Sequence, residues 1–423
     1  MLTKHNFCVG KGIFITRIKT ISIVAIFVSL MAILVVLPGK ATDRSKTLAT
    51  LEQIDNHPLY KMTYYGGYGL EEILKTGIKN DEELIKTIMK NIKGTNLDIN
   101  DINLPEPGIA CSAYSAMNES GEPIMGRNTD WHDRPAMLLY TDPPNAYSSV
   151  SMVDIGFLGY SEQNSPLKQG NRMNLLAAPY LTWDGMNECG LAIATLSVPE
   201  ADGGNNPSKI TINNSLGIRL VLDYAKDVEG AVSLLQKYNI YFSLNSPAHY
   251  FVADASSKSA AIEFIDGKVV ATRNDKTWSV LTNFIVNGKT GDVSEQVCER
   301  YHKMFNTLKE KEGKIDKQEA MDILRSVSVR KTVWSEVFNL ATHEINIAMD
   351  RKYDEVMTFK LEKLAQDRTV LQIMKMPEKR APKDKKKFID TIADNENVVV
   401  ELKNIRCTGT KKDLVPHLDL IKL

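Results

Sequence analysis

Residues Ile21 to Leu37 form an uncharged, mostly apolar run, and Lys4, Lys11, Arg17 and Lys19 precede it. A basic flank before an apolar stretch is how an export signal is built. Seventeen residues is long for a signal-peptide core and barely spans a bilayer. The exit Pro38-Gly39-Lys40-Ala41-Thr42 has small residues but no clean A-x-A site, and no cysteine follows closely enough for a lipid anchor. The expectation is an exported protein, secreted or held at the cell surface, with 1–40 as signal peptide or membrane anchor.

Residues 41–104 read as helical and polar, with apolar positions at helical spacing among the charges of Asp81 to Ile92. Pro105-Glu106-Pro107-Gly108 cannot be helix interior and reads as an exposed linker. The pattern then changes to strands. Ile109 to Met117, the turn Asn118 to Glu122, and Pro123 to Arg127 predict a hairpin with Cys111 at its start. Further strands are expected at 136–141, 149–157, 180–184 and 191–198. Two helices fall between Asn213 and Tyr238, the second capped by Asp227. Strands return at 249–254, 260–265, 269–273 and 279–282, and helices at 294–309 and 317–326. Strands at 334–338, 344–350 and 356–361 complete a second group, with a short one between Asn397 and Asn404. Strand groups on either side of central helices predict layers, an α+β fold of αββα type. The expected organisation is 1–40, a helical pro-segment 41–110, a catalytic domain 111–361, and an extension 362–423 whose Lys375 to Lys387 stretch reads as a solvated basic linker.

Composition alters this little. Hydrophobic residues make up 43% and charged residues 25%, a globular balance. Lys+Arg and Asp+Glu both number 52, so no nucleic-acid partner is expected from bulk charge. The five cysteines are odd in number and scattered, with no C-x-x-C pair. They predict neither a disulfide framework nor a structural zinc site, and no metal or cofactor is expected. A lone cysteine is usually a small buried hydrophobe, and Cys189 and Cys298 read that way.

Cys111 differs because of its company. Gly126-Arg127-Asn128-Thr129-Asp130-Trp131 begins as the hairpin returns, with Arg127 sixteen and Asp130 nineteen residues beyond the cysteine. A turn between two strands can bring both beside it. A guanidinium there favours thiolate, and a carboxylate can orient a neighbouring amine.

This hairpin resembles that of the choloylglycine hydrolases. The family includes bile salt hydrolases and penicillin V acylases and is related to the lysosomal acylethanolamine amidase and acid ceramidase. Further segments are similar in order. Trp183 to Leu191 resembles the D-G-x-N-E-x-G-L turn, and His249 to Ala255 with Ile262-Glu263 resembles the H-Y-x-x-x-D-A … I-E hairpin. Leu281-Thr282-Asn283 resembles the T-N segment, Arg300 fits the late arginine, and Trp334-Ser335 is typical. The resemblance spans 109–361 and implies the four-layer αββα N-terminal-nucleophile hydrolase fold. It further implies a hydrolase of linear, non-peptide amides acting on an acylated small molecule. By this resemblance the Asn283 side chain and the Ser197 backbone N–H would form the oxyanion hole. Two features depart from the pattern. About 110 residues precede Cys111, as in the branch that removes a pro-segment by self-cleavage. Ser197 stands where bile salt hydrolases have Asn and penicillin V acylases have Tyr.

No histidine sits in an obvious catalytic motif; His249, at a strand start, reads as structural. The base expected instead is the α-amine of Cys111, whose reference pKa of about 7.7–8.0 suits neutral pH. That amine exists only once the Ala110–Cys111 bond is cut. Cys111 is then the nucleophile, Asp130 holds its amine, and Arg127 and Arg300 support the thiolate. Asn283 and Ser197 take the oxyanion. The rivals are acyl transfer to an amine, an inactive exported binding protein of the same fold, and a histidine-dependent cysteine protease. Oligomerisation is left open.

Overall fold

The computed structural model describes residues 42–97, 110–168, 172–288 and 298–362, and the backbone of two short strands at 398–402 and 405–409. The apolar run Ile21 to Leu37, the linker Pro105 to Gly108 and the basic run Lys375 to Lys387 lie outside the described residues. Among those described, no helix is long and apolar enough to cross a membrane.

The chain from Asp43 onward forms one unit. Its strands, in chain order, are β1 (Glu52–Asp55), β2 (Leu59–Tyr65), β3 (Ala110–Asn118), β4 (Pro123–Asp130), β5 (Ala136–Asp142), β6 (Ser149–Asp154), β7 (Thr182–Asn187), β8 (Ala192–Ser197), β9 (Ile210–Asn213) and β10 (Tyr238–Tyr241). There follow β11 (Ala248–Ala253), β12 (Ser259–Ile265), β13 (Lys268–Arg273), β14 (Ser279–Leu281), β15 (Lys314–Ile315), β16 (Thr332–Asn339), β17 (Glu344–Met349), β18 (Met357–Lys360), β19 (Val398–Leu402) and β20 (Ile405–Gly409). Nine strands form one sheet in the order β1-β2-β5-β6-β7-β8-β11-β12-β13. A second sheet runs β14-β3-β4-β16-β17-β18, with β15 beside β3. β9 pairs with β10, and β19 with β20.

Period-two alternation sends each strand's side chains into two different apolar layers. Cys111, Ala113 and Met125 meet Leu138, Met152, Ala194 and Phe251 between the sheets. The opposite face of the large sheet, including Tyr250, Val252 and Ile262, packs on helices Asn214–Tyr224 and Val228–Leu235. On the far side of the small sheet, Tyr114, Ala116 and Ile124 meet Met304 and Leu324 of helices Glu299–Glu310 and Lys317–Ser326. Three apolar layers between four structural ones are the αββα arrangement of an N-terminal-nucleophile hydrolase.

Hairpin β3–β4 sits where the motif places it, in the register Cys111↔Thr129 and Ala113↔Arg127. Gly126 faces Tyr114 across this pair, and a Cβ at 126 would lie 2.2 Å from the tyrosine ring. The glycine of Gly126-Arg127-Asn128 therefore serves packing: it admits the ring that anchors the hairpin to Ala320 O at 2.7 Å.

The structure corrects three expectations. Residues 41–104 are not purely helical. Helices Asp43–Ala49, Leu70–Thr76 and Asp81–Asn91 are joined by β1 and β2. β2 pairs in parallel with β5 over seven residues, from Leu59↔Ala136 to Tyr65↔Asp142. The strand expected to reach Phe157 stops at Asp154, whose carboxylate accepts the Gly156 N–H and starts a 3₁₀ turn. The strand expected from Tyr180 begins at Thr182, after a 3₁₀ run containing Pro179, which has no N–H for a ladder. Helix starts follow the reading better: Asp227 accepts the Gly230 N–H, and Asp316 with Glu319 makes a capping box.

Candidate active site

Cys111 is the second residue of β3 and its side chain points between the sheets. Asn283 follows β14 and Arg300 opens helix Glu299–Glu310, so three separate elements meet at one backbone position. The Cys111 N–H donates to Asn283 Oδ1 at 2.7 Å. Arg300 donates from one Nη to the Cys111 carbonyl at 2.6 Å and from the other to Asn283 Oδ1 at 2.8 Å. Asn283 Nδ2 donates to the Ser197 carbonyl at 2.7 Å. Val198 N–H bonds Pro247 O, so strand alternation turns both peptide groups of Ser197 away from β11, towards Asn283.

Arg127 is fully buried. One Nη approaches Cys111 Sγ at 3.9 Å, while the other contacts Asp184 at 2.7 Å and donates to the Trp183 carbonyl at 3.0 Å. Burial works against this guanidinium's charge, but Asp184 and then Cys111 hold its pKa above the usual value. Glu336 lies opposite Arg127 in the β4–β16 register. Burial and the neighbouring Asp184 charge push the Glu336 carboxyl well up, so it keeps its proton while Asp184 faces the arginine. Asp184 lay within the sequence pattern without an assigned role. Glu336 was missed because only sheet register brings it near; a lone glutamate beside Trp334-Ser335 carries no such signal.

One detail differs from the sequence reading. Burial raises the Cys111 thiol above its ordinary pKa despite Arg127, so the uncut chain holds a thiol rather than a thiolate. In the uncut chain the Cys111 peptide nitrogen is held by Asn283. Asp130, opposite Ala110 in the hairpin, accepts the Thr332 hydroxyl at 2.5 Å and faces Arg300 at 3.6 Å. Burial pushes its carboxyl up to about 6 against the pull of Thr332 and the arginines. Lowering the pH through about 6 protonates Asp130 and removes the charge facing Arg300. Activity, measured as kcat/KM, is expected to fall on that acid limb. In Asp130→Asn the inflection near 6 should disappear, leaving only the fall set by the α-amine; an unchanged inflection there would assign it to another group.

A cavity of about 580 Å³ opens at Cys111, within the range of small-molecule sites. Trp131, Phe157 and Trp183 form an aromatic wall, Trp183 stacking on Phe157 at 6.3 Å. Ser197 and Asn283 also line it. A further wall comes from before the cysteine: Asp81, Leu84, Ile85 and Ile88 lie at i, i+3, i+4 and i+7, one face of helix Asp81–Asn91.

Other motif residues serve the scaffold. Asn187 donates to Leu222 O and Ala225 O at the end of helix Asn214–Tyr224, and accepts from Cys189 N and Leu191 N. Cys189 and Cys298 form no disulfide with a described residue and are only half-buried, unlike the core cysteines expected.

Fold and site together define an N-terminal-nucleophile hydrolase architecture with a cysteine at the head of its hairpin. Residues 111–285 match the sequence model of the linear amide C–N hydrolases, choloylglycine hydrolase family. That stretch therefore carries the sequence pattern of hydrolases of carbon–nitrogen bonds in linear amides. Among solved structures it is similar to a mutant conjugated bile acid hydrolase from Clostridium perfringens, at 17% identity and TM-score 0.45, covering 59% of this chain and 92% of that one. It is also similar to the penicillin V acylase from Agrobacterium tumefaciens, at 19% identity and TM-score 0.43, covering 60% and 87%. The Caenorhabditis elegans ortholog of N-acylethanolamine-hydrolyzing acid amidase is 18% identical with TM-score 0.35, covering 60% and all of that chain. A search of the curated proteins finds no match.

Proposed function

We propose that this protein is an exported acyl-amide hydrolase whose nucleophile, Cys111, is released by its own cleavage of the Ala110–Cys111 bond. The observation that carries the proposal is the convergence of Arg127, Asn283 and Arg300 on Cys111 at an apolar cavity. In self-cleavage, Cys111 Sγ bonds to the Ala110 carbonyl carbon and the Ala110–Cys111 C–N bond breaks. The thiol proton passes to the freed Cys111 nitrogen, and water then resolves the thioester.

In turnover the freed α-amine takes the thiol proton as Sγ attacks the substrate amide carbonyl. The amine passes the proton to the leaving nitrogen as that C–N bond breaks. Water, deprotonated by the amine, hydrolyses the acyl-cysteine. Asn283 and the Ser197 N–H stabilise the oxyanion, a donor typically contributing about 3–4 kcal/mol. Asn283 Oδ1 keeps the amine in place, while Asp130 sets Arg300. The cavity's aromatic and aliphatic walls favour a substrate with an apolar acyl part.

Mass spectrometry of purified active protein, with a panel of conjugated bile acids, penicillin V, acyl homoserine lactones and N-acyl amines, tests this reading. A larger fragment beginning at Cys111 and turnover of one of these amides are expected. Full activity in a chain with Ala110 still joined to Cys111 would sink the amine-base mechanism.

Cleavage should not release the preceding segment. Leu59, Met62, Leu70, Ile73, Leu84 and Ile88 are all buried, each contributing about 1.5–3 kcal/mol on burial. Tyr68 adds a buried hydrogen bond to Asp223. The two fragments are therefore expected to co-elute in size exclusion and to separate only in denaturant. A larger fragment that remains folded and active alone would contradict this.

A further inference from the structure

His249 and Glu263 are fully buried on the face of the large sheet that otherwise packs Phe251, Ala253, Ala261 and Leu196 between the sheets. The Tyr250↔Ile262 register carries them opposite one another on β11 and β12. Titratable side chains in an apolar layer are costly unless every polar atom is matched. Here the partners all belong to one short segment of the other sheet. His249 Nε2 lies 2.8 Å from the Thr282 carbonyl, which can only accept, so this nitrogen carries the proton. Glu263 Oε1 accepts the Val286 N–H at 2.7 Å and Oε2 the Asn287 N–H at 2.8 Å. His249 Nδ1 and Glu263 Oε1 are 3.5 Å apart, so the two side chains sit side by side.

The segment so held, Thr282 to Asn287, leaves β14 and carries Asn283 as its second residue. Asn283 must point one way to bond Cys111 N and the other to bond Ser197 O, across the gap between the sheets. A loop with only its own backbone could not fix an amide to the few tenths of an ångström such a site requires. The bond to the Thr282 carbonyl fixes the peptide immediately before Asn283, and the two bonds to Glu263 fix the turn after it.

We propose that His249 and Glu263 are positioning residues that clamp the Thr282–Asn287 segment from the opposite sheet and so hold the Asn283 amide in register with Cys111. The proposal rests on the amidase reading of the site. Neither residue touches the substrate; both act through Asn283.

The test compares wild type with His249→Leu, His249→Gln and Glu263→Gln, using rates per active thiol counted with a thiol-reactive acyl probe. His249→Leu keeps bulk but loses the donor, and kcat is expected to fall about 10–10²-fold with KM changed less than about threefold. Glutamine can place an N–H near the position of Nε2, so His249→Gln should recover most of the lost kcat. A purely structural role would lower stability in both variants and leave kcat per thiol unchanged; that result would overturn the proposal. So would an equal loss of kcat in the Leu and Gln variants. Backbone amide exchange of the segment 282–288 is read without any substrate. It should speed up in Glu263→Gln and His249→Leu, and unchanged exchange in both would overturn the clamp even if the amidase reading holds. A wild-type protein that hydrolyses no acyl amide would instead sink the reading of the site, while faster exchange would still support the clamp.

Discussion

Cys111→Ala is expected to remove all hydrolysis above background and to leave the bond after Ala110 uncut. Both losses have one cause. Alanine has no sulfur to attack either the Ala110 carbonyl or a substrate amide, and among the described residues no other thiol lines the cavity. Cys189 and Cys298 belong to other parts of the fold, the turn after β7 and the start of helix Glu299–Glu310. The fold should persist, since Ala removes one atom from a position within the apolar layer between the sheets. Circular dichroism and the thermal midpoint should therefore stay close to wild type while mass spectrometry shows a single species. A cut or active Cys111→Ala protein would end the assignment of the nucleophile.

Asn283→Ala carries the second-largest effect, about 10²–10³-fold in kcat with little change in KM. The asparagine accepts from Cys111 N and Arg300, donates to Ser197 O, and keeps one amide hydrogen for an oxyanion. Its removal leaves the Cys111 nitrogen without this acceptor and leaves Arg300, among the described residues, with the Cys111 carbonyl and Asp130. Because self-cleavage uses the same groups, accumulation of uncut chain should accompany the slower turnover. Single-turnover kinetics on the cleaved fraction separates the two effects. A wild-type rate would reduce the Thr282-Asn283 pattern to a strand end.

Much of the architecture was legible because its signals are local. Apolar alternation marked β3, β8, β11, β12, β16 and β17 to within about two residues, and Asp227 announced its helix through a side chain that reaches only three residues on. The two strands before the cysteine were missed for the opposite reason. Leu59 to Tyr65 finds its pairing partner 77 residues later, and a parallel strand carries no turn to mark it. Its flanks, rich in Lys and Glu, gave the whole segment a helical appearance.

The site divides along the same line. Residue chemistry and motif order put Cys111, Arg127, Asp130, Ser197, Asn283 and Arg300 on one list, because their types and sequence spacing are properties of the chain. Contacts among them are not. That Asn283 holds the Cys111 peptide nitrogen, that Asp184 and Glu336 flank Arg127, and that His249 reaches the loop of Asn283 all depend on two sheets stacked face to face. The charge state of the thiol belongs to the same class: from sequence a nearby arginine argues for thiolate, and only the measure of burial reverses it. Sequence alone determined which groups could do the chemistry, since bonding types are fixed residue by residue. Tertiary structure decided which group faces which, because those distances follow from packing between strands far apart in the chain.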